Sequence, residues 1–445
     1  MFKKLTLQNW KSFRYAELPI DSLTILIGTN ASGKSNVVDA FEFLKRVIDQ
    51  QNINSILNEG NGTIPIRGGA KNIVCQGMNE FSLTLLMQEL NQLIECEYTI
   101  KVKPLNKPIE YIENKSIFER NENGELKKLP SPVDGIAAQQ LSTIALDIEA
   151  INRVGQDAYL SNMSHETINA FSLALETYAS TRKSFLNSYR KMESIVTEGW
   201  NEIFILNFDF RNIGSYSPVS NYLDSHGSNL AGFIASLEPD RKAQLESQLT
   251  EYLNHLPELE ISKVWVETVG RLNSDAMIYC EEKWGNSGES VILDARSMSD
   301  GTLQFLTIMT AILTRPTGSQ LIIEEIDNGL HPSRAKFLIE LLRDIGADRQ
   351  VDVLITTHNS ALLDALEPDM MPFVIVAHRD QETGESKLTP LDELEDLPKL
   401  LASGSLGNLV TRGAIERSIS RHDRLTTPAN DEVQNDRLNW QTLIW

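Results

Sequence analysis

Cysteine is nearly absent: Cys75, Cys96 and Cys280 are the three in a chain of 445 residues. They are too few and too scattered for a disulfide framework or a Cys-rich zinc module, and a reducing cytoplasm is the expected environment. Long apolar runs are lacking too. No stretch approaches the ~18 uninterrupted apolar residues that crossing a bilayer needs. No apolar signal core follows Met1–Thr6, so neither secretion nor membrane insertion is expected. Positive charge is the scarcer sign, with 41 Lys and Arg against 61 Asp and Glu, a balance of −20. Such a chain repels polyphosphate at long range, so nucleic acid stays open as a partner only through a local basic groove. What is present is ordinary for a globular chain, 41% apolar and 23% charged. The length suits two or three domains, or one large elaborated domain.

The hydrophobic pattern changes along the chain. Phe2, Leu5 and Leu7 alternate with polar residues, as in a half-buried strand. Leu23–Ile27 is short, apolar and β-rich and stops at Gly28, as a buried parallel strand does. Helical spacing of Val37, Val38, Phe41, Leu44 and Val47 predicts a helix over Ser35–Ile48. Phe81–Met87, Cys96–Val102 and Ile109–Phe118 read as antiparallel strands, closed by the turn residues Asn121–Gly124. The middle is helical. Ala137, Leu141, Ile144, Ile148 and Ile151 keep a 4-3-4-3 spacing, which Ile168 through Val196 continues, as in a helical hairpin or ordinary helix packing. A further helix is expected from Pro239 to His255. The last third alternates. Strands are expected at Val291–Leu293, Leu321–Ile323, Val351–Thr356 and Phe373–Ala377, and helices at Thr302–Leu313, Arg334–Arg343 and Ala361–Leu366. This grammar implies a mainly parallel, covered sheet.

Four stretches carry chemistry. Gly28-Thr29-Asn30-Ala31-Ser32-Gly33-Lys34-Ser35 fits the P-loop pattern, with a strand before it and an amphipathic helix after it. Glycines let backbone N–H groups turn toward phosphate oxygens, and the helix N-terminus adds positive potential. Lys34 would neutralise β/γ-phosphate charge and the Ser35 hydroxyl would ligate Mg²⁺, which makes ATP and Mg²⁺ the expected cofactors. Leu321–Asp327 is an apolar strand running into the acids Glu324 and Glu325. One would hold the metal and the other would orient or deprotonate a water. Neighbouring side chains of a strand face opposite ways, so both acids reach one atom only if the chain leaves strand geometry there. His358 follows the strand Val353–Thr357, a place suited to sensing a γ-phosphate. Ser297–Thr302 opens an apolar helix, either as a plain N-cap or as a second anion-accepting terminus.

Taken together, these motifs resemble the ABC-type ATPases of the SMC/RecF/OLD group, especially their bacterial AAA-21 and AAA-15 branch. Asn9–Phe13 resembles the opening strand motif of that group, and Gly28–Ser35 with Asn36 its Walker A. Ser299-Asp300-Gly301-Thr302 resembles its signature, Glu324-Glu325 its Walker B, Asn328–Pro332 its D-loop and His358 its switch histidine. Ile66–Gly69 and Gly227–Leu230 also recur in that branch. Two departures stand out: Glu324 replaces the usual Asp, and Ile326 the usual Pro. The extra methylene of Glu324 moves its carboxylate by about one bond, and slow hydrolysis is expected.

The resemblance implies an α/β, ABC-type P-loop ATPase with a mixed, mainly parallel sheet, an antiparallel β subdomain and an inserted helical lobe. The expected segments are 1–130 with Walker A, 131–260 as the helical insertion, 261–415 with signature, Walker B and switch histidine, and 416–445 as a tail. It implies Glu325 and His358 as catalytic residues. Nucleotide would be held by Asn30, Gly33, Lys34, Ser35, Asn36, Arg67, Ser299 and Gly301, and metal by Ser35 and Glu324. Gln76 is a candidate for the Q-loop. One P-loop and one signature per chain imply a homodimer or larger even oligomer with ATP in its interface. No Toprim nuclease is expected in the chain, so a separate effector, a nuclease or toxin, is the analogous partner, as in Septu and PARIS anti-phage systems. The alternatives are a RecF/SMC-like DNA-maintenance ATPase and an ATP-dependent scaffold with little turnover.

Overall fold

The computed structural model describes residues 1–49, 51–58, 64–88, 94–106, 108–120, 126–128, 203–208, 214–256, 261–284 and 289–419. The helices expected over Ala137–Ile151 and Ile168–Val196, the turn Asn121–Gly124 and the tail from Arg421 lie outside these residues.

The chain opens with β1 (Phe2–Trp10) and β2 (Phe13–Pro19), an antiparallel pair. β3 (Leu23–Ile27) follows, buried at every position, and leads through a glycine loop into the helix Lys34–Ile48. β4 (Phe81–Gln88), β5 (Ile94–Lys103), β6 (Glu110–Arg120) and β7 (Leu126–Lys128) then join β1 and β2 in one antiparallel sheet of order β2-β1-β4-β5-β6-β7. The alternating burial of β4 and β5 is the period-2 signature of a sheet with one covered face.

β8 (Ile203–Leu206) falls within the segment expected to be the helical insertion, yet it is an edge strand of the central sheet, parallel to a later strand. After β9 (Ser217–Pro218) come the helices Leu230–Ser236 and Pro239–Asn254. The second has Pro239 in its first turn and packs on β10 (Ile261–Val269), which opens a meander with β11 (Asp275–Trp284) and β12 (Glu289–Asp294). β12 contains the expected strand Val291–Leu293 but pairs antiparallel with β11 instead of joining the parallel sheet. The short connection between the two strands permits a hairpin, whereas a parallel partner needs a long crossover.

The last third supplies the helix Asp300–Thr314, β13 (Gln320–Ile323), the helix Pro332–Arg349, β14 (Asp352–Thr356), the helix Ser360–Ala365, β15 (Val374–Arg379) and β16 (Ser386–Pro390). The central sheet runs β16-β15-β3-β14-β13-β8, parallel throughout except for the β15–β16 hairpin. β3, β8, β13 and β14 are buried at every position without alternation because both faces are covered. Leu26, Ile205, Ile322 and Leu354 enter a core shared with the antiparallel sheet and the helix Lys34–Ile48. Ile25, Leu206, Ile323 and Ile355 enter a second core with the helix Asp300–Thr314 and the helices after it. Cys75, Cys96 and Cys280 are free and buried. Among the described residues, no helix is long and apolar enough to cross a membrane.

Candidate functional site

The site lies at the C-terminal edge of the central sheet, where open α/β sheets receive ligands. β3 ends at Ile27, and the loop from Gly28 delivers Gly33 to the N-cap position of the helix Lys34–Ile48. Gly33 has a left-handed backbone, φ 119°, and among the described residues no side chain caps the helix terminus. Added side-chain bulk there would meet Phe13 and Ser386 at 2.8 Å. The loop is braced from outside. Asn36 Nδ2 donates to Ser12 Oγ at 2.8 Å and Trp10 Nε1 to the Asn36 carbonyl at 2.7 Å. Ser386 Oγ donates to Ser12 Oγ at 2.8 Å, and Arg379 Nε to the Ala31 carbonyl at 3.0 Å. Arg379 and Ser386 lie some 350 residues away in sequence, and no local pattern marks them.

Lys34 folds back over the loop, its ammonium donating to the carbonyls of Gly28 at 2.5 Å and Thr29 at 3.1 Å. Burial pushes the Lys34 pKa down, while Glu325 and Asp327 oppose that shift. Asn30 and Ser35 are exposed, and among the described residues the buried Ser32 hydroxyl has no hydrogen-bond partner.

The two acids do not end a strand. β13 stops at Ile323, and Glu324 and Glu325 lie on the turn beyond it. Glu325 takes φ +50°, a sparsely populated region for a residue with a side chain. This departure from strand geometry is the condition under which both acids can face one ligand. The turn is held to β14: Glu325 N–H donates to Thr356 Oγ1 at 2.9 Å and Ile326 N–H to the Thr356 carbonyl at 3.1 Å. Asn328 Nδ2 donates to Glu325 Oε2. His358 stands exposed two residues past the end of β14.

Glu324 is engaged on both oxygens. Arg67 Nη2 donates to Oε1 at 3.2 Å and Asn207 Nδ2 to Oε2 at 3.0 Å. Arg67 also donates to Asp39 Oδ1 at 3.0 Å and reaches the Ser35 carbonyl at 3.5 Å. Lys11 pairs with the other oxygen of Asp39, deep enough that burial lowers the Lys11 pKa despite the partner. Arg67 thus stands between the Walker A helix and the first Walker B acid. Asp39 and Asn207 have roles that carried no motif in the sequence.

Ser299 caps the helix Asp300–Thr314, its Oγ accepting from Thr302 N–H at 3.2 Å. Gly301 abuts the Gly329 carbonyl of the D-loop, with no space for a Cβ. The buried Gln304 donates to the Ile326 carbonyl at 3.1 Å. Among the described residues, the hydrogen bonds of Ser299 stay within its own cap, and the P-loop is not among its partners. A cavity of about 650 Å³ opens beside Ser35 and Asn36, walled by Lys11, Arg14, Arg67, Gln76 and Arg379 among others. Gln76 therefore lies on the cavity wall, whereas the amide that touches Glu324 belongs to Asn207.

The donor set fits a nucleotide with Mg²⁺. Ser32 offers a buried, unpartnered hydroxyl, and Ser35 and Glu324 offer hard oxygen ligands. Among the described residues no group of three or more His, Cys, Asp or Glu could hold a metal.

Strand, glycine loop, helix and paired acids on the turn after another strand of the same parallel sheet define a P-loop domain. The family model described as "AAA domain, putative AbiEii toxin, Type IV TA system" matches residues 23–80 and 158–364, more than half of the chain, and the chain belongs to this AAA_21 family. Among solved structures it is similar to an SMC head bound to the C-terminal winged-helix domain of ScpA, at 14% identity and TM-score 0.47, covering 89% of this chain and 99% of that one. An SMC head with an extended coiled coil from Pyrococcus furiosus, bound to the C-terminal domain of ScpA, matches at 14% identity and TM-score 0.43, covering 90% and 98%. The SMC head domain from Thermotoga maritima matches at 14% identity and TM-score 0.37, covering 87% and 98%. No curated protein matches the sequence.

Proposed function

We propose that the chain binds ATP with Mg²⁺ and hydrolyses it slowly as an ABC-type dimer, and that its nucleotide state controls a separate effector in the cytoplasm. The observation that carries this reading is a contact: Arg67 reaches the Ser35 carbonyl at 3.5 Å and Glu324 Oε1 at 3.2 Å, which sets the start of the P-loop helix beside the acid turn from almost 300 residues later. A cation aimed at phosphate and a carboxylate aimed at water are the two groups phosphoryl transfer to water needs in one place.

The residues divide the work by their chemistry. Lys34 leaves the Gly28 and Thr29 carbonyls to neutralise phosphate charge, and the Ser32 hydroxyl gains the partner it lacks. Ser35 and Glu324 would hold the Mg²⁺, which offsets phosphate charge when bound. Glu325, with one oxygen fixed by Asn328, keeps the other to accept a proton from the attacking water. His358 contacts the γ-phosphate. Arg67 must release Glu324 before that acid can serve a metal, which favours slow turnover. Asn30, Gly33 and Asn36 shape the loop, and Ser299 and Gly301 of one copy close over the nucleotide of the other. A nuclease or toxin in anti-phage defence fits the role of effector.

The test compares wild type with Lys34→Ala and Glu325→Gln in ATP binding and steady-state hydrolysis. Lys34→Ala should lose binding. Glu325→Gln should bind at least as well as wild type and turn over roughly 100-fold or more slowly, the scale of a lost general base. Wild-type turnover in Glu325→Gln would remove Glu325 as the base. Unchanged binding by folded Lys34→Ala would remove the site.

A further inference from the structure

Asn207 belongs to none of the nucleotide motifs, yet it sits at the C-terminal end of β8 with its amide on Glu324 Oε2 at 3.0 Å. The same two chain segments are joined by backbone, Glu324 N–H donating to the Leu206 carbonyl at 3.0 Å. Asn207 is in turn fixed by a remote loop. Its N–H donates to the Ser225 carbonyl at 2.8 Å, and its own carbonyl lies 2.7 Å from His226 Nδ1.

That loop, Asp224–Asn229, is tied to itself. The Asp224 carboxylate accepts the backbone N–H groups of His226, Ser228 and Asn229 at 2.8, 3.0 and 3.1 Å. Asn229 Oδ1 accepts the Asp224 N–H at 2.9 Å. At its tip Gly227 has φ +72°, and a Cβ there would stand 2.6 Å from Thr307 Cγ2 on the helix that follows the signature. The loop therefore rests on the signature helix at one end and on Asn207 at the other. Its Gly227-Ser228-Asn229-Leu230 stretch is a motif that the nucleotide chemistry leaves unused.

We propose that Asn207 is the positioning residue that aims Glu324, and that the Asp224–Asn229 loop ties this aim to the signature helix. The proposal rests on reading Glu324 as the acid on the Mg²⁺ side. A neutral amide suits this role, because it donates to an ionised carboxylate without adding a charge that would repel a metal. It occupies Oε2 and leaves Oε1, now on Arg67, as the oxygen for which Mg²⁺ competes. The extra methylene of Glu324 relative to Asp lets its carboxylate span Arg67 and Asn207 together. In the dimer, the signature helix steered by one copy's loop closes over its partner's nucleotide, so the contact would couple the two sites.

The experiment is calorimetric titration of the full chain with a slowly hydrolysed ATP analogue, once in EDTA and once in Mg²⁺. The readout is the factor by which Mg²⁺ strengthens binding. Removing a partner that orients a metal-ligating carboxylate typically costs 10–100-fold in metal affinity. Asn207→Ala should therefore cut the Mg²⁺ factor about tenfold or more while affinity in EDTA stays within about twofold. The EDTA arm reports whether each variant is folded and still binds phosphate, and Asn207→Ser provides a second, polar variant. Glu324→Asp should lose a similar factor, and Asn207→Gln in that background should restore it, because the added methylene replaces the one removed. Gly227→Ala should lose the Mg²⁺ factor too, and no further loss should appear when it is combined with Asn207→Ala, as for two parts of one unit. An unchanged Mg²⁺ factor in Asn207→Ala overturns the proposal, and independent, additive losses overturn its loop half. Wild type that binds no nucleotide in either arm overturns the ATPase reading itself. Wild type that binds equally well with and without Mg²⁺ keeps the nucleotide site and overturns the role of Glu324, and Asn207 with it.

Discussion

Asp352, at the start of β14, illustrates what a single buried group does to this molecule. Burial pushes its pKa from the ordinary 3.8 to about 7, although the Met1 ammonium and Lys3 act the other way and Asp21 adds to the rise. The folded chain then holds the proton more tightly than the unfolded chain between about pH 4 and pH 7. Stability is full below that window, falls as pH rises through it and levels off above it. Asp352→Asn mimics the protonated form. It should abolish this slope and exceed wild type in stability above pH 7 by up to about 4 kcal/mol, the worth of a shift of that size. Urea unfolding of both proteins at pH 5 and pH 8 checks this; equal pH slopes would show that Asp352 is already neutralised by its surroundings. Glu325 shows the other residue-scale feature, a left-handed backbone at the acid assigned as base. Such conformations persist where surrounding contacts over-determine them, here the two hydrogen bonds to Thr356 and the Asn328 amide.

At the scale of elements, β1 does more than open a sheet. Trp10 at its end is fully buried and forms an edge-on triangle with Phe43 and Phe81, ring centroids 5.6, 5.0 and 5.4 Å apart. The three rings join β1, the helix Lys34–Ile48 and β4, and the Trp10 indole N–H also holds the Asn36 carbonyl. The antiparallel sheet thereby fixes the first turn of the P-loop helix. Trp10→Ala should lower stability by roughly 3–5 kcal/mol, the usual cost of deleting a large core aromatic. Trp10→Phe keeps most of the packing and should cost about 1 kcal/mol for the lost hydrogen bond, if the carbonyl can find water. Denaturant midpoints separate the two. Equal losses in both variants would mean that the indole hydrogen bond dominates over packing.

For the whole molecule, the central sheet is a partition between two cores, and the site lies where its strands end. Lys34 and Ser35 come from one side of that partition in sequence and Glu324 and Glu325 from the other. Gly301 lies against the Gly329 carbonyl of its own chain. In the proposed dimer a nucleotide on one P-loop is closed by the signature of the second copy. Mixing Lys34→Ala with Ser299→Arg protein should give mixed dimers with at most one working site, so that activity peaks at equal proportions while either variant alone is inactive. In a two-fold dimer each interface pairs one P-loop with the other copy's signature. Full activity from a species that light scattering shows to be monomeric would end the dimer model.

The sequence by itself determined the parts that depend on neighbours along the chain. The buried strand Leu23–Ile27, the glycine loop and the following helix were legible because backbone geometry and apolar spacing act over a few residues. The same holds for Pro239 at a helix start and for the alternation in β4 and β5. The paired acids were legible as a motif, but their geometry was not, since the strand stops at Ile323 and the turn is held by Thr356 from another strand. The placement of β8 and β12 was also beyond local reading, because an apolar segment of strand length carries no mark of which sheet it joins or in which direction. Above all, tertiary structure alone decided who touches Glu324. Arg67 and Asn207 arrive from 257 and 117 residues away, and a side-chain amide or guanidinium has no periodicity to announce its partner. Such contacts exist only once two packed cores have brought the segments together, which is why the motifs, and Arg67 as a candidate, could be read in advance and the contacts of Arg67 and Asn207 with Glu324 could not.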